Sequence, residues 1–355
     1  MNEEVIPLYQ TTVTTITTSP SNQQSFLSDK SNSPAVEIEL TLAEPPFDDT
    51  LGVPSDVSIR TSDNITFRAH RAILSLASPF FRTMLSLPQP SDSESNTDAD
   101  TIPVSEDSKT IRSLLLLCYP GPRPTFVSES TDLTEIKALI GALTKYEMLH
   151  TGIAGRLKDL IHQPFTCKEP LRIYAIACQF KWQDLAETAA KASLQYPLHE
   201  IYVAELEEIS AGDYHRLLKY HRQCGVAAGN VTTNCGLRWM SMRSGLGAWT
   251  WLRCQSCPAA GSVFICLTDA AAIPTPVPVR AWFMDYMVAM GTTLKRTPCA
   301  KLLDNMDTIL PFIPKIGQCT TCRAGAFVEL RSFIPGIFKT EVEKAISQVE
   351  LEISF

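Results

Sequence analysis

The hydrophobic positions of residues 56–69 repeat with a period of two. Val57 and Ile59 alternate with polar residues, and Ile65 and Phe67 do so again after a Ser-Asp-Asn turn. Strict alternation over two short runs separated by turn residues is typical of a two-stranded hairpin with one buried face. The pattern therefore predicts a β-hairpin in this region.

Directly after this hairpin the hydrophobic period becomes helical. Ile73 and Leu76 lie three residues apart on one helical face, and Ser78 is followed by Pro79. Proline is favoured at the first position of a helix, where its missing N–H leaves no hydrogen bond unmade. We therefore expect two short consecutive helices, the second beginning at Pro79 and carrying Phe80 on its apolar stripe.

The mixture of short strands and helices continues to about residue 149. Residues 102–104 predict a further strand, and residues 105–119 and 133–149 carry apolar residues at helical spacing. This combination indicates an α+β fold.

The order of these elements resembles the start of a BTB/POZ domain. The resemblance rests on Asp-Val at 56–57, Phe-Arg-Ala-His-Arg at 67–71 and Ser-Pro-Phe-Phe at 78–81. It implies the BTB/POZ fold, a small mixed sheet flanked by helices, over residues 55–163, about a third of the chain. It also implies that this domain binds other proteins.

The pattern after this domain is helical and then changes. Residues 171–180 and 182–194 predict a helix pair similar to the helical extension of BTB adaptor proteins, which places the extension at 164–225. Residues 226–355 are richer in Gly, Trp and Cys and end in an amphipathic helix, which indicates a small Cys-containing C-terminal unit. The whole arrangement is similar to a type of BTB protein found in fungi.

Residues 1–54 are expected to form a disordered tail. The first 34 residues contain twelve Ser or Thr and three Pro and show little periodicity. A segment of this composition buries too little apolar area to offset the entropy lost on ordering.

The charge balance bears on the kind of partner. The chain carries 38 acidic and 31 basic residues, and eight of the acids but only one of the bases lie in residues 1–54. The remainder of the chain is formally neutral, whereas nucleic-acid-binding proteins usually carry a clustered basic face. The apolar runs are also much shorter than the roughly 20 residues that a membrane-spanning helix requires. Neither nucleic acid nor a membrane is therefore expected as a partner.

Eleven cysteines bear on both location and chemistry. Because the N-terminus has no signal-peptide pattern, they predict reduced thiols and a protein of the cytoplasm, the nucleus or both. Four of them form two C-x2-C pairs, Cys254/Cys257 and Cys319/Cys322. Such pairs let two sulfurs of a tight turn point at one metal ion, and two pairs complete a tetrahedral zinc site.

Two interpretations of these pairs stay open. The 61 residues between them exceed the usual spacing of ~15–20, and residues 277–294, predicted as a helix, would have to return the chain to the first turn. Either all four thiolates hold one structural zinc ion, or some of the cysteines are small buried apolar residues. A redox role is less favoured, because no βαβ pattern surrounds either pair.

Two sets of residues in the BTB-like region are candidate partner contacts. Asp56 and Arg71 match the acidic and basic positions of the charged pocket of some BTB domains, and an ion pair between strand and helix explains them equally well. The resemblance implies a dimer interface on the first helices, and its candidate residues are Leu74, Leu76, Phe80 and Phe81.

No catalytic motif is present in the sequence. It contains no G-x-S-x-G, H-E-x-x-H, G-x-x-x-x-G-K or strand-associated G-x-G-x-x-G pattern. His221 and Cys224 share a helical face and could form half of a metal site, but a buried histidine with a satisfied hydrogen bond is favoured. His70 is interpreted as a core residue. We therefore expect a protein that is not an enzyme.

Three functions of different classes remain. The favoured one is a protein–protein interaction protein that self-associates as a homodimer through its BTB/POZ domain. The second is a substrate adaptor that binds a cullin in a ubiquitin ligase, which the helical extension supports. The least favoured is a zinc-containing regulator of transcription, because the folded region has no excess of positive charge. Structural zinc is the sole cofactor expected.

Overall fold

The computed structural model describes residues 41–353 except for 51, 88–100, 122, 125–132, 234–237, 242–248 and 269–273. The chain divides into two units, Met1–Thr41 and Leu42–Phe355. All but the last residue of the first unit lie outside the described residues, so the disorder expected for residues 1–40 stays a prediction.

A small mixed sheet lies at the centre of the N-terminal region. Its described strands are β1 (Thr41–Leu42), β2 (Val57–Arg60), β3 (Ile65–Ala69) and β4 (Thr101–Pro103), and they lie in the order β1-β3-β2-β4. Strands β2 and β3 pair antiparallel with Ile59 opposite Phe67, whereas β4 pairs parallel to β2. Ile59 and Phe67 are both buried. The predicted hairpin is confirmed.

Four helices of this region share one buried apolar cluster with the sheet. They are α1 (Arg71–Ala77), α2 (Pro79–Ser86), α3 (Ser108–Cys118) and α4 (Leu133–Lys145). Ser78 separates α1 from α2, and its buried hydroxyl accepts a hydrogen bond from the N–H of Phe81 at 3.0 Å. The same hydroxyl donates to the carbonyl of Tyr146 at 2.6 Å. One side chain thus caps α2 and ties it to the end of α4.

The segment before β2 departs from the tail expected through residue 54. Phe47 is fully buried, and its ring centroid lies 5.9 Å from that of Phe67 and 5.3 Å from that of Tyr119. The backbone N–H of Arg68 also donates to the Phe47 carbonyl at 2.9 Å. The expectation of disorder is wrong for this segment, because the buried Phe47 ring and backbone hydrogen bonds to the sheet hold it in place.

The helical extension consists of α5 (Gly152–Thr166), α6 (Pro170–Gln179), α7 (Gln183–Ser193) and α8 (Ala211–Asn230). Helices α6 and α7 confirm the predicted helix pair. Helix α5 runs across the predicted boundary at 163/164, and α8 runs across the one at 225/226. A change in sequence composition therefore does not coincide with the end of a helix at either position.

The C-terminal region combines short helices with a strand pair. Its elements are α9 (Arg238–Ser241), α10 (Thr250–Arg253), β5 (Ala259–Thr268), β6 (Pro274–Arg280), α11 (Ala281–Arg296), α12 (Ile313–Gly317), α13 (Thr320–Ser332), a π-helical segment (Phe333–Phe338) and α14 (Lys339–Ser347). Helix α14 lies within the predicted C-terminal amphipathic helix.

The helix predicted over 277–294 is wrong at its beginning. Residues 277–280 belong to β6, in which Val277 pairs with Ile265 of β5, and α11 begins only at Ala281. Prolines at every second position of β6 remove alternate N–H groups, which a strand with an unpaired edge tolerates. The strand pair and α11 span most of the sequence between the two C-x2-C pairs.

Two clusters of buried apolar residues form the core of the unit Leu42–Phe355. One is formed by the sheet and α1–α8, and the other by the C-terminal elements with the end of α8. The end of the chain returns to the first cluster, against which Val349, Leu351 and Ile353 pack. Among the described helices, none combines the length and hydrophobicity needed to span a lipid bilayer.

Candidate functional site

The first C-x2-C pair lies between α10 and β5. Cys254 is the C-cap of α10, and its N–H donates to the carbonyl of Thr250 at 2.8 Å. The carbonyl of Cys257 accepts a hydrogen bond from Nη1 of Arg280 at 2.9 Å. The turn that carries both cysteines is therefore fixed by a helix end on one side and by the end of β6 on the other.

The second pair lies at the beginning of α13. Cys319 is the N-cap of this helix, and its carbonyl accepts from the N–H of Arg323 at 2.8 Å. Cys322 lies in the first turn and is fully buried. A helix N-terminus favours a nearby negative charge, because its first N–H groups are unpaired and its dipole is positive there.

The structure brings all four cysteines together. Their sulfur atoms lie within 4.8 Å of one another. Sγ of Cys254 lies 3.5 Å from Sγ of Cys319, and Sγ of Cys257 lies 3.5 Å from Sγ of Cys322. These distances are too long for disulfide bonds. A tetrahedral ion with bonds of about 2.3 Å to sulfur would separate the sulfurs by about 3.8 Å, which agrees with the observed spacing.

The thiols of this cluster differ in acidity. The N–H of Cys322 donates to the Cys319 sulfur and is the main reason that the pKa of Cys319 is lowered to about 6. Burial instead raises the pKa of the Cys257 thiol to about 11. Burial also raises the pKa of Cys322, against a lowering effect of the Trp282 indole N–H. A cation bound in place of the thiol protons would stabilise these buried sulfurs as thiolates.

Two buried donors beside the cluster fit a negatively charged centre. The guanidinium of Arg280, only 7% exposed, donates to two backbone carbonyls and has no carboxylate partner among the described residues. The buried indole N–H of Trp282 has no acceptor other than the Cys322 sulfur within the described part of the chain. A buried unpaired charge is strongly unfavourable, whereas four thiolates around one divalent cation leave a net negative charge that Arg280 would balance.

The predicted dimer residues fall into two groups. Leu76 and Phe80 are 80% and 37% exposed. Leu74 and Phe81 are buried in the core of the chain itself, and the Phe81 ring stacks on Tyr146 at 4.8 Å. These two residues are therefore corrected to core positions, because a side chain without exposed surface cannot contact a partner.

Asp56 and Arg71 do approach each other. The Asp56 carboxylate accepts from the backbone N–H of Arg71 at 2.6 Å, and Nε of Arg71 donates to the Asp56 carbonyl at 3.1 Å. The acid thus satisfies a backbone donor in the first turn of α1. These contacts give both residues a structural role at the start of α1. The ion pair and the docking role both stay predictions.

The other residues singled out in the sequence serve packing. His221 is buried and donates from Nε2 to the carbonyl of Tyr196 at 3.0 Å, and burial lowers its pKa. Cys224 is buried beside it. His70 is half-buried between Val53 and Tyr119, with Nδ1 3.0 Å from the Tyr119 hydroxyl. Among the described residues, only the four cysteines above form a group that could hold a metal ion.

The sequence does not predict Arg280 as a part of the site. An isolated arginine in a sequence carries no spacing signal, and the helix predicted over residues 277–294 includes this position. The alternating prolines before Arg280 are the signal that could have placed it at the end of a strand.

A comparison with protein families finds a BTB/POZ domain at residues 50–151. The domain is a protein–protein interaction module, and BTB domains are typically not enzymes. No curated protein matches the chain. The family match ends before α5, so it does not include the four cysteines. The resemblance to a fungal type stays a prediction.

Proposed function

We propose that this chain is a non-enzymatic interaction protein of the cytoplasm or nucleus that self-associates through α1 and α2 of its BTB/POZ domain. The observation that carries this proposal is the exposure of Leu76 (80%) and Phe80 (37%) on these two consecutive helices. Leu87, directly after α2, is 59% exposed as well. A symmetric dimer would bury the same apolar patch on both copies.

Light scattering of the full chain tests self-association. Wild type is expected to elute at twice the mass of one chain, and Leu76→Asp is expected to elute as a monomer, because a charge would be buried in the interface. Val328→Asp is the matched control, since Val328 is 70% exposed on α13, outside the two helices of the proposed interface. A monomeric wild type, or a dimer that survives both Leu76→Asp and Phe80→Asp, would contradict the proposal.

For the C-terminal region, the proposal includes one structural zinc ion held by Cys254, Cys257, Cys319 and Cys322. The supporting observations are the sulfur spacing and the buried Arg280, which has no carboxylate partner among the described residues. Zinc accepts four thiolates in a closed tetrahedral site of this kind and joins segments distant in sequence. When bound, it would supply folding free energy rather than catalysis.

Metal analysis of the purified full chain tests the zinc site. One zinc ion per chain is expected in wild type and in Cys167→Ser, which alters an exposed cysteine outside the cluster. Cys254→Ser is expected to lose the metal. Retention of zinc by Cys254→Ser would exclude this ligand set.

The alternative is a substrate adaptor of a cullin-type ubiquitin ligase. The packed pair α6 and α7, directly after the BTB/POZ domain and α5, favours it. Co-purification of a cullin with the full wild-type chain would support this function over simple self-association, and its absence would contradict it. A zinc-containing transcriptional regulator has no comparable structural observation in its favour.

A further inference from the structure

The two halves of the four-cysteine centre are connected by a carboxylate outside the cluster. Oε2 of Glu329 accepts from the backbone N–H of Thr250 at 2.6 Å, and Oε1 accepts from the Thr250 hydroxyl at 2.8 Å. Thr250 is the first residue of α10, whose N-cap residue provides no side-chain cap. Glu329, 79 residues away in sequence, therefore does the work of an N-cap for this helix.

Each residue of this contact lies one or two helical turns from a candidate metal ligand. The Thr250 carbonyl accepts from the N–H of Cys254, so the position of Thr250 determines that of the cysteine at the other end of α10. Glu329 lies seven residues after Cys322 on α13, which places both residues on the same face of that helix. The Glu329–Thr250 contact thus holds together the helices that carry Cys254 and Cys322.

A glycine between these points makes room for the contact. A Cβ atom added at Gly325 would lie 2.6 Å from Oγ1 of Thr250 and 3.8 Å from Oε1 of Glu329. The first distance is shorter than real Cβ contacts allow, so a larger residue would displace the Thr250 hydroxyl and disturb its contact with Glu329. Gly325 lies on the α13 face shared by Cys322 and Glu329.

We propose that Glu329 is a positioning residue of the metal centre, which sets the distance between Cys254 and the Cys319/Cys322 pair by capping α10, and that Gly325 gives the clearance this requires. This inference rests on the proposed zinc site. Residues that orient metal ligands without touching the metal commonly change affinity by about 10–100-fold when replaced. We expect a loss of zinc affinity in that range for Glu329→Ala.

Competition between the metal-free full chain and a chromogenic zinc chelator measures this affinity. Glu329→Ala, Gly325→Ala and Thr250→Val are each expected to bind zinc more weakly, whereas Thr250→Ser, which keeps the hydroxyl, should bind like wild type. The double variant Glu329→Ala/Thr250→Val should lose little more than Glu329→Ala alone, because the two side chains form one contact. Val328→Ala, the neighbouring exposed position on α13, is the matched control.

Substitution of Co²⁺ for zinc gives a second measurement that a general loss of stability would not reproduce. The absorption bands of tetrahedral tetrathiolate cobalt should be shifted or weakened in Glu329→Ala and unchanged in Val328→Ala. If Glu329→Ala does not fold, Thr250→Val carries the same comparison with a smaller change.

The two proposals fail in different ways. Unchanged zinc affinity and cobalt spectra in Glu329→Ala or in Thr250→Val, with metal bound by wild type, would overturn the positioning role alone. An equal loss in Val328→Ala would overturn it as well. A wild-type chain that binds no zinc would overturn the metal centre itself.

Discussion

Replacement of Phe47 by alanine is expected to destabilise the chain strongly. Phe47 is fully buried, and its ring meets that of Tyr119 edge-on at 86°. Removal of a buried phenylalanine side chain costs about 3–5 kcal/mol, of which the edge-to-face pair accounts for about 0.5–1.5 kcal/mol. A surface position in a polar segment would instead change stability by less than about 0.5 kcal/mol.

Urea unfolding of the full chain, followed by far-UV circular dichroism, measures this difference. With a denaturant dependence of about 3 kcal/mol per molar urea, the Phe47→Ala midpoint should fall by about 1–2 M. Val53→Ala is the control, because Val53 belongs to the same segment but is 59% exposed. A Phe47→Ala midpoint equal to that of Val53→Ala would refute the assignment of this segment to the core.

Three further predictions follow from buried polar groups and from the cysteines. Ser78→Ala should lower the free energy of unfolding by about 1–3 kcal/mol, because it leaves the N–H of Phe81 and the carbonyl of Tyr146 without their shared partner. Urea unfolding measures this loss. The control Ser86→Ala, at an exposed position, should have little effect. Burial opposes ionisation of Glu205, but the Arg172 guanidinium at 2.9 Å holds the pKa of Glu205 below its ordinary 4.5. A carboxyl with a lowered folded-state pKa stabilises the fold above pH 4.5 and loses this effect as the pH falls through the folded-state pKa. The stability advantage of wild type over Glu205→Gln should therefore be constant above pH 4.5 and shrink below it. A stability difference that grows on acidification would reverse the assignment. A zinc chelator should lower the thermal unfolding midpoint of wild type and leave that of Cys254→Ser unchanged, and equal shifts in both proteins would point to metal bound elsewhere.

Local periodicity predicted the parts of the fold in which neighbouring residues determine structure. Alternation at Val57 and Ile59 identified β2, and Ser78-Pro79 identified the beginning of α2, because strand pleating and helix capping depend on a few adjacent residues. The burial of Phe47 could not be predicted in this way, since it depends on Tyr119, which is distant in sequence.

The candidate site was predicted in its ligands but not in its surroundings. The C-x2-C spacing is a local signal, so all four cysteines could be named, and the structure brings their sulfurs together. The return of the chain over 61 residues depends on the β5–β6 pair and on the contact between Glu329 and Thr250. The only sequence signal of the strand pair is the alternating prolines of β6. The Glu329 contact has no signal, because a carboxylate that caps a distant helix looks like any other glutamate on a helix surface.

The continuity of α8 across residue 225 has a practical consequence for the search for binding partners. A recombinant bait that stops at this position would truncate a helix within its last two turns. It would also lack Val349, Leu351 and Ile353, which cover the apolar cluster of the remaining part. The apolar surface exposed by this truncation would bind proteins non-specifically. Interaction screens with this protein should therefore use a bait that begins before Phe47 and keeps the chain through Ile353.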